Sequence, residues 1–295
     1  MSARTLQRVI EAIPTSDGAG VKLRRSLGQS QGARLDPFLM LDHFSTDNAD
    51  DYVAGFPAHP HRGFETVTYM LDGHMRHEDH LGHTGDLKSG GVQWMSAGRG
   101  IVHSEMPQQE SGRMRGFQLW VNLPAKEKMK PAAYRDIQPD EIPALALPGG
   151  GRAKIIAGTL SIDGRQTQGP IQGLSTDPLY LDIELPAGAS FTHPVHAGYN
   201  AFVYPFEGSV EVGPAGKTRR LRTHDAGVLA DGDEVTLTAG SEGARMILLA
   251  GRPLREPVVQ YGPFVMNTRE EIEQAIRDYQ SGKLTESPSQ ARTAS

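Results

Sequence analysis

Two short segments of the sequence place potential metal ligands two residues apart: His59 with His61, and His103 with Glu105. In a β-strand, residues i and i+2 project from the same face, so each segment would present both of its ligands to one side. Pro60 cannot donate a backbone hydrogen bond, which places the first segment at a sheet edge or a strand start. If the two strands pair, three imidazoles and one carboxylate meet at one point. Such a set binds one divalent metal ion and leaves one or two positions open for substrate or oxygen.

A second glutamate competes with Glu105 for the fourth ligand position. Glu65 follows His61 by four residues and lies on the same face of the predicted strand. It either binds the metal or forms a hydrogen bond to a group behind the ligands, such as an imidazole. The residues alone leave the choice between Glu65 and Glu105 open.

The chain contains 11 histidines, so close pairs of histidines also arise by chance. A strand–turn–strand joins the two ligand segments, and Gly98 and Gly100 provide a turn before His103. This combination favours a metal site.

Four further histidines flank the next predicted turn, and we interpret them as solvated turn and strand positions: His74, His77, His80 and His83. The alternative is that one of the four lines the mouth of the pocket.

The composition limits the kind of metal site and the kind of partner. The 295-residue chain has no cysteine, which excludes disulfides, iron–sulfur clusters and thiolate zinc sites. Imidazole and carboxylate ligands suit iron, manganese, cobalt, nickel, copper or zinc. The net charge of −5 gives no indication of the basic surface that nucleic-acid binding requires, but it does not exclude a protein partner. No secretory signal and no apolar run of about 18 residues is present, so we expect a cytoplasmic protein without membrane contact.

Short apolar runs alternate with turn signals along most of the chain, which is rich in glycine (34) and proline (20). This pattern is typical of an all-β protein whose strands close into barrels or sandwiches. Asp72-Gly73 and Glu207-Gly208 stand between such runs, where hairpin turns are expected. The clearest strand-like runs are 64–78, 114–124, 179–188, 201–213 and 244–251.

One segment near the C-terminus has helical periodicity. Thr268 and Glu271 form a capping-box pattern, and apolar residues then recur at helical spacing up to Tyr279. Gly282 follows as the expected stop. We therefore predict a short C-terminal helix.

The two halves of the chain are related by an offset of 135 positions. Without a gap, this offset aligns several aromatic, glycine and histidine positions: His61 with His196, Gly63 with Gly198, Tyr69 with Tyr204, and Gly73 with Gly208. One β-barrel is therefore expected twice. In the second copy Pro194 and Asn200 replace His59 and Glu65, and no His-x-Glu segment follows. We expect this copy to be metal-free and structural.

The sequence divides into four predicted regions. Residues 1–130 form the metal-binding barrel, and 151–284 form the degenerate barrel together with the helix. The stretch 131–150 mixes charges, prolines and a glycine run, and is the expected linker. Residues 285–295 have the composition of a solvated, flexible tail.

The sequence resembles the pirin family, whose members contain two cupin domains. The matching segments follow the family's order and cover most of the chain: 35–44, 59–73, 93–105 and 256–268. The resemblance implies two tandem cupin barrels of the double-stranded β-helix, or jelly-roll, type. By motif position, it assigns as metal ligands His59, His61, His103 and Glu105, and this favours Glu105 over Glu65. Pirins typically carry iron in the N-terminal cupin, so Fe(II) is the expected ion, and Cu, Ni, Co, Mn or Zn can also occupy the site. The C-terminal cupin is normally empty.

The resemblance implies two different roles. Some pirins act as quercetin 2,3-dioxygenases. For this chain, the corresponding reaction is the opening of a flavonol heterocycle with O2, with Glu105 as the base that accepts the proton of the 3-hydroxyl. Other pirins are regulators that respond to the redox state of iron and bind a transcription factor or a metabolic enzyme. A third interpretation is a sugar or small-molecule isomerase, since cupins host many chemistries.

Overall fold

The computed structural model describes residues 2–286. Antiparallel strands dominate it, which confirms the predicted all-β class, and its one α-helix lies near the C-terminus. Most of the predicted tail, from residue 287 onward, lies outside the described residues. No helix within residues 2–286 is long and apolar enough to cross a membrane.

The described residues form the following strands and helix, in chain order: β1 Leu6–Glu11, β2 Ile13–Asp17, β3 Val21–Arg25, β4 Phe38–Thr46, β5 Phe56–His61, β6 Phe64–Asp72, β7 His74–Asp79, β8 Thr84–Lys88, β9 Val92–Ser96, β10 Ile101–Pro107, β11 Met114–Asn122, β12 Ala133–Ile137, β13 Ala144–Ala146, β14 Arg152–Ala157, β15 Thr159–Ile162, β16 Arg165–Gln168, β17 Leu179–Leu185, β18 Ser190–Pro194, β19 Asn200–Val212, β20 Arg219–Leu221, β21 Asp225–Leu229, β22 Glu234–Gly251, β23 Val259–Tyr261, β24 Phe264–Met266 and α1 Arg269–Gln280.

The chain divides into two compact units, and each unit draws on three segments. The first barrel comprises Thr15–Leu23, His43–Gln138 and the chain from Arg255 onward. The second barrel comprises the chain up to Pro14, Arg24–Asp42 and Pro139–Leu254. This division differs from the predicted 1–130 and 151–284 at both chain ends. The N-terminal strand β1 pairs with β21 in the second barrel, whereas α1 belongs to the first.

The predicted linker, residues 131–150, is largely taken up by the sheets. β12 pairs with β9 over five residue pairs, beginning at Ala133 opposite Ser96. β13 pairs with β14, and Leu145 lies opposite Ala153. Backbone groups in this stretch therefore have sheet partners, which a solvated linker would not give them.

Two sheets carry the first barrel. One is four-stranded, in the order β5-β10-β7-β8, and the other is seven-stranded, in the order β12-β9-β6-β11-β4-β3-β2. Asp72-Gly73 joins β6 in the larger sheet to β7 in the smaller one, so the predicted hairpin turn within one sheet is wrong. A change of sheet at this point is possible because Gly73 adopts a φ of 119°, which side chains rarely allow.

The second barrel is built on a nine-stranded sheet in the order β1-β21-β19-β22-β17-β14-β13, with β18 on β22 and β20 on β19. The long strand β22 pairs with β18 in its first part and with β17 in its second part. Glu207-Gly208 lies inside β19, at irregularities in the pairing with β22, so the predicted turn is wrong here too. Gly208, with a φ of 67°, lets the strand continue through the bulge.

The predicted C-terminal helix is confirmed as α1. The Thr268 side chain accepts a hydrogen bond from the backbone N–H of Glu271, and the Glu271 side chain accepts one from the backbone N–H of Thr268. Ile272 and Ala275 are buried in a cluster of first-barrel side chains that includes Phe264. The helix therefore contributes apolar surface to the first barrel.

Candidate metal centre

Strands β5 and β10 pair antiparallel, with His103 directly opposite His59. Along β10, His103 and Glu105 are buried and the intervening Ser104 is half-buried. This alternation confirms the two-residue parity that the sequence predicted. β5 is the edge strand of its sheet, the position that a proline-containing strand favours.

The structure brings together three of the four predicted ligands. One ligand atom from each of His59, His61 and His103 lies within 4.8 Å of the others. The Nε2 atoms of His59 and His61 are 3.0 Å apart. Three imidazoles from two paired strands thus converge on one point.

Hydrogen bonds behind the rings orient the imidazoles toward this point. The Nδ1 of His59 lies 2.8 Å from the carbonyl oxygen of Pro57, and the Nδ1 of His61 lies 3.4 Å from that of Pro263. A carbonyl only accepts, so each Nδ1 carries the proton and each Nε2 keeps a free lone pair. This is the tautomer that a metal ligand requires, and the backbone carbonyls act as its outer partners.

The centre also contains an orphaned atom. The Nε2 of His103 is buried and has no hydrogen-bond partner within the described part of the chain. A buried polar nitrogen without a partner is costly, and coordination of a cation would satisfy it. The three residues therefore fit a metal ion.

Burial keeps two of the three imidazoles neutral. Burial, reinforced by neighbouring histidines, lowers the pKa of His61 and of His103 well below the ordinary imidazole value. A neutral imidazole is the form that binds metal, so protons compete weakly for these two ligands near neutral pH.

His77 is a site residue that the sequence analysis missed. We expected a solvated position, but His77 is 2% exposed and its Nδ1 lies 3.3 Å from the Nδ1 of His103. Its Nε2 lies 3.4 Å from the Asp79 carboxylate, and its ring stacks on Tyr134 at 4.3 Å. The Asp79 carboxylate is also 2.8 Å from the Nδ1 of His83. A chain of polar side chains thus runs from His103 through two buried groups to an exposed histidine.

The two candidate glutamates have different surroundings. Glu105 is buried, and its carboxylate lies 2.9 Å from the Thr68 hydroxyl and 3.1 Å from the Gln118 amide nitrogen. Glu65 accepts a hydrogen bond from the Trp94 indole at 3.0 Å and lies 3.5 Å from Lys130. Burial raises the pKa of Glu65. Both carboxylates therefore have partners of their own, and neither is among the three side chains that converge. Glu105 shares its strand face with His103.

The C-terminal segment supports the ligand strand β5. The backbone N–H of Val265 donates to the carbonyl of Arg62 at 3.0 Å. The Arg62 guanidinium, 3% exposed, forms an ion pair with Asp278 of α1 at 2.7 Å. Together with the contact of Pro263 to His61, these bonds fix the residues that follow the His-Pro-His segment.

Comparisons with known proteins identify the family. Residues 20–121 match the sequence profile of pirin, and residues 180–285 match that of the pirin C-terminal cupin domain. The chain belongs to the pirin family. Both barrels are therefore cupin domains, as the resemblance implied.

Relatives in the pirin family carry two kinds of name. A Pseudomonas aeruginosa protein with the provisional name quercetin 2,3-dioxygenase is 55% identical over 92% of this chain and 94% of its own length. A pirin-like protein of Caulobacter vibrioides is 50% identical over 96% of this chain and all of its own length (100%).

Two solved structures share the fold. The crystal structure of an Acinetobacter baumannii quercetin 2,3-dioxygenase aligns with a TM-score of 0.86 and 33% identity, covering 96% of this chain and 99% of that one. An Escherichia coli pirin in complex with nickel(II) shares the fold, with a TM-score of 0.60 and 21% identity over 83% of this chain and 98% of that one.

In the second barrel the buried histidine is His193, and not His196, which the offset of 135 positions aligns with His61. On β18, Phe191 and His193 are buried, while His196 beyond the strand end is exposed. His193 faces Val235 across the pairing with β22, where His59 faces His103 in the first barrel. Within residues 2–286, the only cluster of three metal-ligating side chains found is the one in the first barrel.

Proposed function

We propose that this pirin-family chain is a metal-dependent dioxygenase that opens the heterocycle of a flavonol such as quercetin with O2. The observation that carries the proposal is the convergence of three imidazoles, two of them held neutral by burial. A buried carboxylate, that of Glu105, lies two residues after His103 on the same strand. The provisional name of the Pseudomonas aeruginosa relative and the similarity to the Acinetobacter baumannii quercetin 2,3-dioxygenase support the choice of flavonol.

In this proposal, His59, His61 and His103 hold one divalent metal ion, with Glu105 as the fourth ligand. Fe(II) is the proposed ion, and an Escherichia coli pirin that shares the fold was solved in complex with nickel(II), another divalent ion. When bound, the metal acidifies a coordinated hydroxyl and supplies redox chemistry toward oxygen. Three neutral ligands leave the local charge positive, which favours binding of a substrate as its anion.

Glu105 is the proposed base for the 3-hydroxyl proton of the flavonol. The Thr68 hydroxyl and the Gln118 amide hold its carboxylate in place, so it can accept the proton without losing its position. Both neighbours are uncharged, and a proton that arrives on Glu105 displaces no ion pair.

An aromatic wall stands beside the ligands. The Trp120 ring lies 5.3 Å from that of His61 and 4.3 Å from that of Phe64, centroid to centroid. Flat apolar rings of this kind exclude water and suit a planar aromatic substrate. We propose that this wall orients the flavonol toward Glu105.

The test is to load the purified chain with Fe(II), Ni(II) or Cu(II) and to follow quercetin absorbance together with oxygen uptake. We expect turnover with at least one metal, and a loss of about 10²–10⁴-fold in kcat for Glu105→Gln. Glu65→Gln is the matched control, because its side-chain oxygen still accepts from Trp94, and it should retain most of the activity.

Two outcomes would count against the proposal. Absence of turnover with every metal, while a protein partner binds only the metal-loaded chain, would favour the regulatory role. Full activity of Glu105→Gln would rule out Glu105 as the base, while the proposed site at the three histidines would still stand.

A further inference from the structure

The second barrel contains a cavity of about 620 Å³ whose lining comes entirely from that barrel. This volume lies within the range of small-molecule sites, about 300–1,000 Å³. The cavity is distinct from the metal centre, because none of the ligands of the first barrel lines it.

A buried histidine without a partner lines this cavity. His193 is 4% exposed, and its Nδ1 has no hydrogen-bond partner among residues 2–286. In the first barrel a comparable orphaned imidazole belongs to a cluster of three, whereas the described residues place no such cluster around His193. An organic ligand is therefore a better match to the cavity than a metal ion.

The two carboxylates at the cavity already have hydrogen-bond partners. The Asp177 carboxylate accepts a hydrogen bond from the Tyr199 hydroxyl at 2.7 Å and lies 3.7 Å from the Arg252 guanidinium. The Asp233 carboxylate accepts a hydrogen bond from the backbone N–H of Ser2 at 2.9 Å. A charged ligand would disturb these pairs, so an uncharged ligand fits better.

The lining combines aromatic and aliphatic faces with groups that bind hydroxyls. His196 and Tyr199 form an aromatic pair with ring centroids 5.0 Å apart, and Leu179 and Val195 add aliphatic surface. Several hydrogen-bonding side chains complete the lining: Thr159, Ser161, Gln166, Gln172, Asp177 and Asp233.

The β15–β16 hairpin forms one side of the cavity. Its register places Ser161 opposite Gln166, and both residues line the cavity. Leu160 points to the other face and is buried in the core, which anchors the hairpin. An exposed serine on an anchored hairpin therefore offers a position at which the cavity can be filled without disturbing the core.

We propose that this cavity binds an uncharged small molecule that carries several hydroxyl groups and one flat, apolar face. A ligand hydroxyl forms a hydrogen bond with the unpartnered nitrogen of His193, and the polar side chains form hydrogen bonds with the other hydroxyls. The ring of Tyr199 packs against the flat face of the ligand. Sugars and single-ring phenols share this chemistry. The proposal is independent of the dioxygenase proposal, because it concerns residues of the second barrel only.

Saturation-transfer NMR on the metal-loaded full chain tests the proposal with D-glucose and with resorcinol, whose two hydroxyls are not placed to chelate a metal. Benzoate serves as the charged comparison. His193→Phe removes the hydrogen bond and should weaken binding about tenfold. Ser161→Trp should fill the cavity and abolish binding. Ser241→Trp, an exposed serine of β22 that does not line this cavity, is the matched control.

Binding of glucose or resorcinol that is lost in Ser161→Trp and retained in Ser241→Trp would support the proposal. The probe that binds would show whether the ligand is a sugar or a single-ring phenol. Thermal unfolding of each variant checks that it is folded. Failure of both probes to bind the wild-type chain at tens of millimolar would overturn the proposal. Binding that is equal in the wild-type chain and in Ser161→Trp, or preference for benzoate, would overturn it as well.

Discussion

Each barrel has an edge strand that carries an imidazole in register with the neighbouring strand, but the residue opposite that imidazole differs. In the first barrel His59 of β5 faces His103 of β10, and His61 follows on the same strand. In the second barrel His193 of β18 faces Val235 of β22, which belongs to the aliphatic core. One barrel thus gathers three imidazoles, and the other surrounds a single imidazole with apolar and hydroxyl-binding groups.

This difference shows that the cupin fold provides a position and the side chains decide its chemistry. Two paired strands can present ligands from both sides of a ladder, because residues in register lie close together. A valine in place of one histidine removes the cluster while the strand pairing stays. The comparison can be tested by changing one barrel and measuring the other.

The largest expected effect is on metal binding. His61→Ala removes one of three converging ligands, so metal content after dialysis should fall from roughly one ion per chain to near zero. His193→Phe in the second barrel should leave the metal content unchanged. Elemental analysis of both variants checks this, and equal metal loss in the two would break the distinction between the barrels.

The second effect is on the pH dependence of stability. Burial lowers the pKa of His193 from 6.5 to about 4. Between these values the unfolded chain takes up a proton that the folded chain does not, so this group lowers stability as the pH falls from 6.5 toward 4. The loss amounts to about 3 kcal/mol at the acid end.

Urea unfolding of the wild-type chain and of His193→Phe, each at pH 7 and pH 4.5, measures this contribution. The wild-type chain should lose more stability than the variant between the two pH values. An identical loss in both chains would show that His193 is not held neutral by the second barrel.

The third effect concerns the support of the metal ligands. His77→Phe keeps a ring that can stack on Tyr134 but removes the nitrogen beside His103. Metal affinity should fall about 10–100-fold, the usual cost of losing an outer partner of a ligand. His83→Ala is the control, because His83 is exposed and does not contact any of the three converging histidines. Competition with a chelator measures the metal affinity of both variants. Unchanged affinity in His77→Phe would contradict the proposal that His77 supports His103 as a metal ligand.

The smallest expected effect is on stability, through the C-terminal helix α1 that packs in the first barrel. Thr268→Ala removes the cap of α1 and should cost about 1 kcal/mol of stability. Both tryptophans of the chain, Trp94 and Trp120, lie in the first barrel, so their fluorescence reports its unfolding. A change detected only by probes of the second barrel would contradict the placement of α1 in the first unit.

Local patterns in the sequence predicted the convergence of the three histidines and the C-terminal helix. The parity of His59 with His61 and of His103 with Glu105 needs only strand geometry, and the cap at Thr268 needs only local spacing. The structure confirms the convergence of the three histidines and the capping box. The role of Glu105 as fourth ligand and base stays a prediction.

Features that depend on pairing between distant strands were missed. His77 contacts His103 because β7 pairs with β10, a register that no local signal reveals. The two-residue spacing of His77 and Asp79, which resembles that of the ligand segments, was the available clue. The alignment of His196 with His61 was misleading, since His193 is the buried residue and an odd shift of register exchanges the two faces of a strand.

The central claim is that one metal ion binds in the first barrel and none binds in the second. Anomalous diffraction at the absorption edge of the loaded metal, from crystals of the full chain, tests it directly. We predict a single strong peak per chain, within coordination distance of the Nε2 atoms of His59, His61 and His103. A peak beside His193, or the absence of a peak at the three histidines, would contradict the account.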